Sequence, residues 1–169
     1  MRYFLIGFMG SGKSYWGKKW SEVSKLPHID LDAEIEKAEG RSIKQIFDEE
    51  GEEAFRKIER KVLRSFLKKD NYIMSCGGGT PCYYDNLRRM NHRGITIYLK
   101  SSAETLARRL RDEKEARPLI KDVPDELLVD FIRQKLDVRR DYYTQCIYHL
   151  DTEFLDNENF QRIIRRHGA

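Results

Sequence analysis

The chain has 169 residues, 40% apolar and 36% charged, with 32 basic and 28 acidic side chains and a net charge of +4. That length suits a single domain over 1–169 whose core needs no disulfide or metal, and the composition excludes intrinsic disorder. The basic excess is spread along the chain and no apolar run approaches a membrane span, so we expect neither a nucleic-acid surface nor a membrane anchor.

The run Arg2–Ile6 is short, apolar and β-prone and predicts a buried first strand. It leads into Gly7-Phe8-Met9-Gly10-Ser11-Gly12-Lys13-Ser14, which fits G-x-x-x-x-G-K-[ST]. Glycines let successive backbone N–H groups turn inward and form an anion nest, Lys13 adds a point charge, and the Ser14 hydroxyl is a hard oxygen ligand suited to Mg²⁺. A helix from Tyr15 to Lys25 is predicted next, with Trp16, Trp20 and Val23 on one face. Strand, glycine loop and helix in that order are the setting a phosphate site requires.

A second strand, Leu26–Asp30, delivers the acids Asp30 and Asp32. In an extended segment residues two apart face the same way, so both would look into one cleft at the C-terminal edge of the sheet. Asp32 would serve equally well as the cap of the next helix. From Ala33 to Lys69 the chain is charged and helical, broken into three pieces at Gly40 and Gly51. Ile43, Ile46 and Phe47 mark the apolar face of the middle piece, and Phe55, Ile58, Val62, Leu63, Phe66 and Leu67 that of the last. Arg56 and Glu59 are three apart and share a face, a spacing equally suited to an ordinary surface pair.

Tyr72–Ser75 predicts a third strand, running into Cys76 and the run Gly77-Gly78-Gly79. Such glycines admit close approach of a ligand to the main chain, or simply a tight turn. A helix over 84–91, a strand over 94–99, and a helix capped by Ser101 or Ser102 follow, with Leu106, Ala107 and Leu110 as its core side. The polar stretch about 111–124, which holds Arg117-Pro118-Leu119, reads as a mobile lid. Arg117 would swing onto nucleotide phosphates and Arg109 would stack on adenine; a solvated face is the alternative for both. After Pro124 a helix is predicted with Leu127, Leu128, Phe131, Ile132, Leu136 and Val138 inward, ending at Arg139-Arg140-Asp141-Tyr142-Tyr143. A last strand over 147–151 and a helix over 154–166 close the chain.

Strands alternating with helices predict an α/β, three-layer P-loop fold: a central five-stranded parallel sheet flanked by helices, plus the lid. Cys76, Cys82 and Cys146 are odd in number and lack a C-x-x-C spacing, which fits a reducing, cytoplasmic setting. No secretory segment is expected, because the first strand begins almost at Met1.

Taken together, Gly7–Ser14, Asp30-Leu31-Asp32, Phe55-Arg56 with Glu59, Gly77-Gly78-Gly79, Arg117-Pro118-Leu119 and Arg139 with Tyr143 closely resemble the shikimate kinase family, of the nucleoside-monophosphate-kinase-like group. The resemblance covers essentially the whole chain. It implies ATP-dependent phosphorylation of the 3-hydroxyl of shikimate, with Mg²⁺, in aromatic amino acid biosynthesis. It assigns ATP binding to Gly10, Ser11, Gly12, Lys13, Ser14, Tyr15, Arg109 and Arg117, with Arg117 over the phosphates and Arg109 at the adenine, and Mg²⁺ to Ser14 and Asp30. Shikimate would be held by Asp32, Arg56, Gly77, Gly78, Gly79 and Arg139, with Glu59 orienting Arg56 and the helical region about 31–69 forming its pocket. Lys13, Asp32 and Arg117 would be the catalytic residues. Arg140 stands beside Arg139 as an alternative carboxylate ligand. A monomer acting on ATP and shikimate is expected. The alternatives are a related small-molecule kinase, such as a gluconate kinase, and a nucleotide-binding module without chemistry.

Overall fold

The computed structural model describes residues 1–117 and 119–167. Five strands form one parallel sheet: β1 Arg2–Ile6, β2 His28–Asp30, β3 Tyr72–Ser75, β4 Ile95–Lys100 and β5 Tyr148–Asp151. Their spatial order is β2-β3-β1-β4-β5. Among the described residues seven α-helices connect and cover them: α1 Lys13–Ser24, α2 Leu31–Glu39, α3 Ile43–Phe66, α4 Asn86–Arg93, α5 Ala103–Leu110, α6 Leu128–Tyr143 and α7 Asn157–His167. A buried parallel sheet needs helices on both faces, and successive residues of β1 are shared out accordingly. Phe4 and Ile6 pack with Ile35, Leu63, Phe66 and Met90 of α2, α3 and α4. Tyr3 and Leu5 pack with Trp20 of α1 and with Phe160 and Ile163 of α7. The Trp20 and Phe160 rings stack at 4.6 Å, which ties the first helix to the last.

A third cluster joins α5 and α6 to the glycine loop through Leu106, Leu110, Leu128, Ile132 and Phe8. Ile120, wholly buried, belongs to it and anchors the polar stretch that follows α5. That stretch begins as a 3-10 turn, Arg111–Ala116, and Lys114 ties it to Asp125 at 2.7 Å. Pro118 lies outside the described residues. No helix among the described residues is long and apolar enough to cross a membrane.

Several local expectations are corrected. Val23, Phe47, Leu127 and Val138 are exposed rather than part of the core. Asp32 is not the third residue of an extended pair: α2 starts at Leu31, and Asp30 is its cap, accepting from the Asp32 and Ala33 amides. The last helix begins at Asn157, not at Phe154. The break at Gly51 is real, with the backbone leaving the helix at φ 80° and ψ 176° inside α3. Ser102, not Ser101, caps α5; Ser101 is buried against Thr152.

Candidate active site

The glycine loop occupies the turn from the C-terminal end of β1 into α1. Gly10 and Gly12 hold positive φ, 78° and 88°, in a region that L side chains rarely adopt. The helix they introduce, α1, starts without a side-chain cap, as α4 and α6 also do. Asp30, Ser42 and Ser102 cap α2, α3 and α5 with their side chains, whereas α1 has no side-chain cap and no acid in its first turn. Its leading N–H groups and the positive end of its dipole are therefore left for an anion. Ser11 Oγ is also buried beside them without a hydrogen-bond partner. A polar atom in that position fits a phosphate oxygen.

Lys13 lies at the centre of this loop. Its Nζ donates to the Gly7 and Phe8 carbonyls, both at 2.9 Å. Burial lowers its pKa to about 8; the negative charge of Asp32 resists the shift, while the positive charges of Arg117 and Arg139 add to it. Ser14 Oγ donates to Asp30 Oδ2 at 3.2 Å, and the other Asp30 oxygen caps α2. Two hard oxygens side by side at the end of a phosphate loop fit a Mg²⁺ ion that draws its remaining ligands from phosphates and water. Among the described residues no group of three or more His, Cys, Asp or Glu side chains forms a metal cage.

The three glycines Gly77–Gly79 are the hub of the second half of the site. A Cβ on Gly77 would stand 3.4 Å from Asp32 Oδ1 and 3.4 Å from Glu59 Oε1. One on Gly78 would stand 2.8 Å from Arg139 NH1, and one on Gly79 only 2.4 Å from Arg56 NH2. Side chains from α2, α3 and α6 thus converge on one backbone run. Asp32 is raised to about 6 by burial first, then by the charges of Asp30 and Glu59, against the pull of Lys13 and Arg56.

Each arginine is held by its own partners. Arg56 NH1 donates to Glu59 Oε2 at 2.9 Å, and Glu59 Oε1 accepts from Thr80 Oγ1 at 2.6 Å. Asn86 in turn donates to the Thr80 carbonyl at 3.0 Å. The guanidinium also lies 4.1 Å from the Tyr83 ring centroid, and Glu52 accepts from both Arg56 and the Tyr83 hydroxyl. Arg139 NH1 lies 3.4 Å from the Tyr143 hydroxyl, which donates to the Gly78 carbonyl at 2.7 Å. Burial pushes the Tyr143 phenol well up, so it remains a donor. Arg140, the alternative, instead pairs with Asp137 at the surface.

Lid-side residues are less engaged. Arg117 pairs with Glu113 at 2.6 Å, and Arg109 NH1 donates to the Gly10 carbonyl at 3.1 Å. Tyr15 is exposed at the rim of the loop. Sequence reasoning missed Glu52, Thr80, Tyr83 and Asn86. Glu52 was within reach of it, standing one turn before Arg56; the other three depend on the turn after Gly79, which carries no periodic signal.

The sequence model of the shikimate kinase family matches residues 9–167. The chain belongs to the shikimate kinase family. Relatives named shikimate kinase include that of Parabacteroides distasonis, 42% identical over 94% of this chain and 91% of its own length. That of Bacteroides thetaiotaomicron is 40% identical over 93% and 90%. A crystal structure of shikimate kinase from Bacteroides thetaiotaomicron superposes with a TM-score of 0.90 at 37% identity, over 100% of this chain and 99% of that one. Shikimate kinase from Acinetobacter baumannii in complex with shikimate gives 0.85 at 29%, over 98% and 91%. A gluconokinase from Sinorhizobium meliloti reaches 0.58 at 15% identity, a likeness of fold alone. Within the shikimate kinase family the α/β sheet order and the parallel core are therefore accounted for, and the chain is a kinase.

Proposed function

We propose that this enzyme transfers the γ-phosphoryl group of ATP to a ring hydroxyl of shikimate, the 3-hydroxyl by resemblance to its family. The observation that carries the reading is the convergence of Asp32, Arg56 and Arg139 on Gly77–Gly79, beside a phosphate loop. A small anionic polyol needs a planar cation for its carboxylate and acceptors for its hydroxyls. Two guanidinium groups offer the first, as fork-shaped donors, and the Asp32 carboxylate with the glycine-run backbone the second.

Phosphoryl transfer proceeds through a loose transition state, so positioning and charge neutralisation carry most of the catalysis. The α1 amides and Lys13 would cradle the phosphates, with Ser11, Gly12 and Ser14 in the loop. Lys13 must exchange its two carbonyl partners for phosphate oxygens. Arg117 must leave Glu113 to reach the same charge, a swing that suits a lid over 111–124. Arg109 would face the adenine and Tyr15 the rim of the nucleotide pocket. Asp32 would accept the hydrogen bond of the attacking hydroxyl and take its proton late in the reaction. Glu59 holds the Arg56 fork in the plane the carboxylate needs. Mg²⁺, held by Ser14 and Asp30, would supply further neutralisation of phosphate charge. The three thiols, all free, agree with a reducing cytoplasm, and Cys76 is too deeply buried to ionise. We take the working form to be a monomer.

A coupled assay of ADP formation with shikimate and with gluconate tests the reading. Shikimate-dependent turnover is expected and gluconate-dependent turnover is not. ADP release that ignores shikimate would overturn it.

A further inference from the structure

A cavity of about 540 Å³ opens at the opposite edge of the sheet, where the strands begin. Arg64 enters it from the last turn of α3 and Lys68 from the turn just beyond, Arg89, His92 and Arg93 from α4, and Arg2 from the start of β1. Leu67 is the apolar side chain in its wall. Among the described residues no carboxylate lines it.

The acids nearby do not balance these charges. Asp70 pairs with Arg2 at 3.1 Å. Asp85 is shared among Arg60, Arg64, Arg88 and Arg89, at 3.5, 3.3, 3.7 and 2.6 Å. One carboxylate neutralises one of those four guanidinium groups. Lys68, His92 and Arg93 have no acidic partner among the described residues. The Nε–H of Arg64 is buried without an acceptor. The C-terminal ends of α3 and α4 attract one or two cations through their dipoles. That effect does not reach Arg2, and it does not explain why the side chains share one concave wall.

We propose that this cavity is a second anion site, remote from the glycine loop, for a small molecule carrying at least two adjacent negative charges. Polyphosphates and polycarboxylates both meet that description. Several guanidinium forks around a partly apolar wall bind such groups through paired, charge-assisted hydrogen bonds. Binding also relieves the mutual repulsion of the wall.

The His92 ring is the local reporter, with His28, His149 and His167 as internal references. Its NMR resonance is followed while pyrophosphate is added in one arm and tricarballylate in the other, at physiological salt. A saturable shift with a Kd on the order of 1 mM or below is expected in at least one arm. The arm that responds names the chemistry. The shift should persist in Lys13→Ala, where the glycine loop is weakened, and should weaken at least about tenfold in Lys68→Glu/Arg93→Glu, since each contact of this kind is worth about a factor of ten. Both of the latter residues are exposed, and shikimate-dependent turnover should be unchanged in that variant. A shift that never saturates in either arm, or one that survives the double charge reversal, overturns the site.

Discussion

Arg56 donates to Glu59 at 2.9 Å, and Glu59 has no solvent-exposed surface at all. A buried ion pair contributes little net stability, because desolvation offsets its attraction. Its value here is orientation: Glu59 fixes one edge of the guanidinium, and Thr80 fixes Glu59. Replacing Arg56 by Ala should therefore do two separable things. It should raise the KM for shikimate by about 100-fold or more, while leaving that for ATP within about twofold, as loss of a bidentate charged contact implies. It should also strand the Glu59 carboxylate and cost about 3 kcal/mol in urea unfolding. Equal loss of affinity for both substrates would sink the carboxylate role.

Lys13 supplies charge where phosphoryl transfer needs it. Lys13→Ala should lower kcat by about 100- to 1000-fold, as removal of one preorganised donor does. The fold should not suffer, because the lysine is buried as a costly cation held by two carbonyls. Steady-state kinetics with a thermal melt on the same sample checks both halves.

The pH profile follows from two shifted groups. The active form needs Asp32 ionised and Lys13 protonated. Burial lifts Asp32 to about 6 and lowers Lys13 to about 8, so kcat/KM should fall on both sides of that window. The two limbs belong to the interacting pair. Bound phosphates favour the ammonium form, so the alkaline limb of kcat should lie higher than that of kcat/KM. Rate profiles for wild type and Asp32→Asn test this, the variant losing whatever activity the acidic limb governed.

Asp32 also carries a stability cost with a definite sign. Its folded pKa of about 6 stands above its ordinary 3.8, so the unfolded chain gives up the proton more readily. Stability from this group is full below about pH 4, falls through the interval up to 6, and stays lost at neutral pH. Asp32→Asn should then stabilise the fold at pH 7 by on the order of 1 kcal/mol, seen as a higher melting point. Below about pH 4 the gain should vanish. Turnover should be nearly abolished in the same variant.

The phosphate half of the site was legible in the chain because each part is local. Strand, glycines, lysine and helix lie within one stretch, and the pattern states its own geometry. The sheet was legible because β1, β3 and β4 are continuous apolar runs bounded by turn residues. Helix faces were read less well. Val138 and Leu127 have the right spacing on α6 but stand in solvent, since periodicity fixes a stripe and only packing fixes its width. The sequence offers Asp32 either as an extended neighbour of Asp30 or as a helix cap, and nothing in Asp30-Leu31-Asp32 signals that Asp30 is itself the cap. The convergence of Arg56, Arg139 and Asp32 joins three helices through long-range contacts, and no spacing rule reaches across them. It entered through resemblance.

Gly79 gives a sharper test of that convergence than any charged residue. Its φ of −89° and ψ of −16° suit any amino acid, so alanine there brings no backbone strain. The new Cβ would nonetheless lie 2.4 Å from Arg56 NH2, well inside contact distance. Arg56 cannot simply retreat, because Glu59, Glu52 and the Tyr83 ring hold it on its other sides. Gly79→Ala should lower the melting point modestly, because a pinned Arg56 must shift, and should leave ATP affinity intact, while raising the shikimate KM by about tenfold or more, the cost of about 1.4 kcal/mol for a displaced contact. Calorimetric titration of each substrate separates these outcomes. An unaltered shikimate affinity would mean that Arg56 grips something other than the substrate acid.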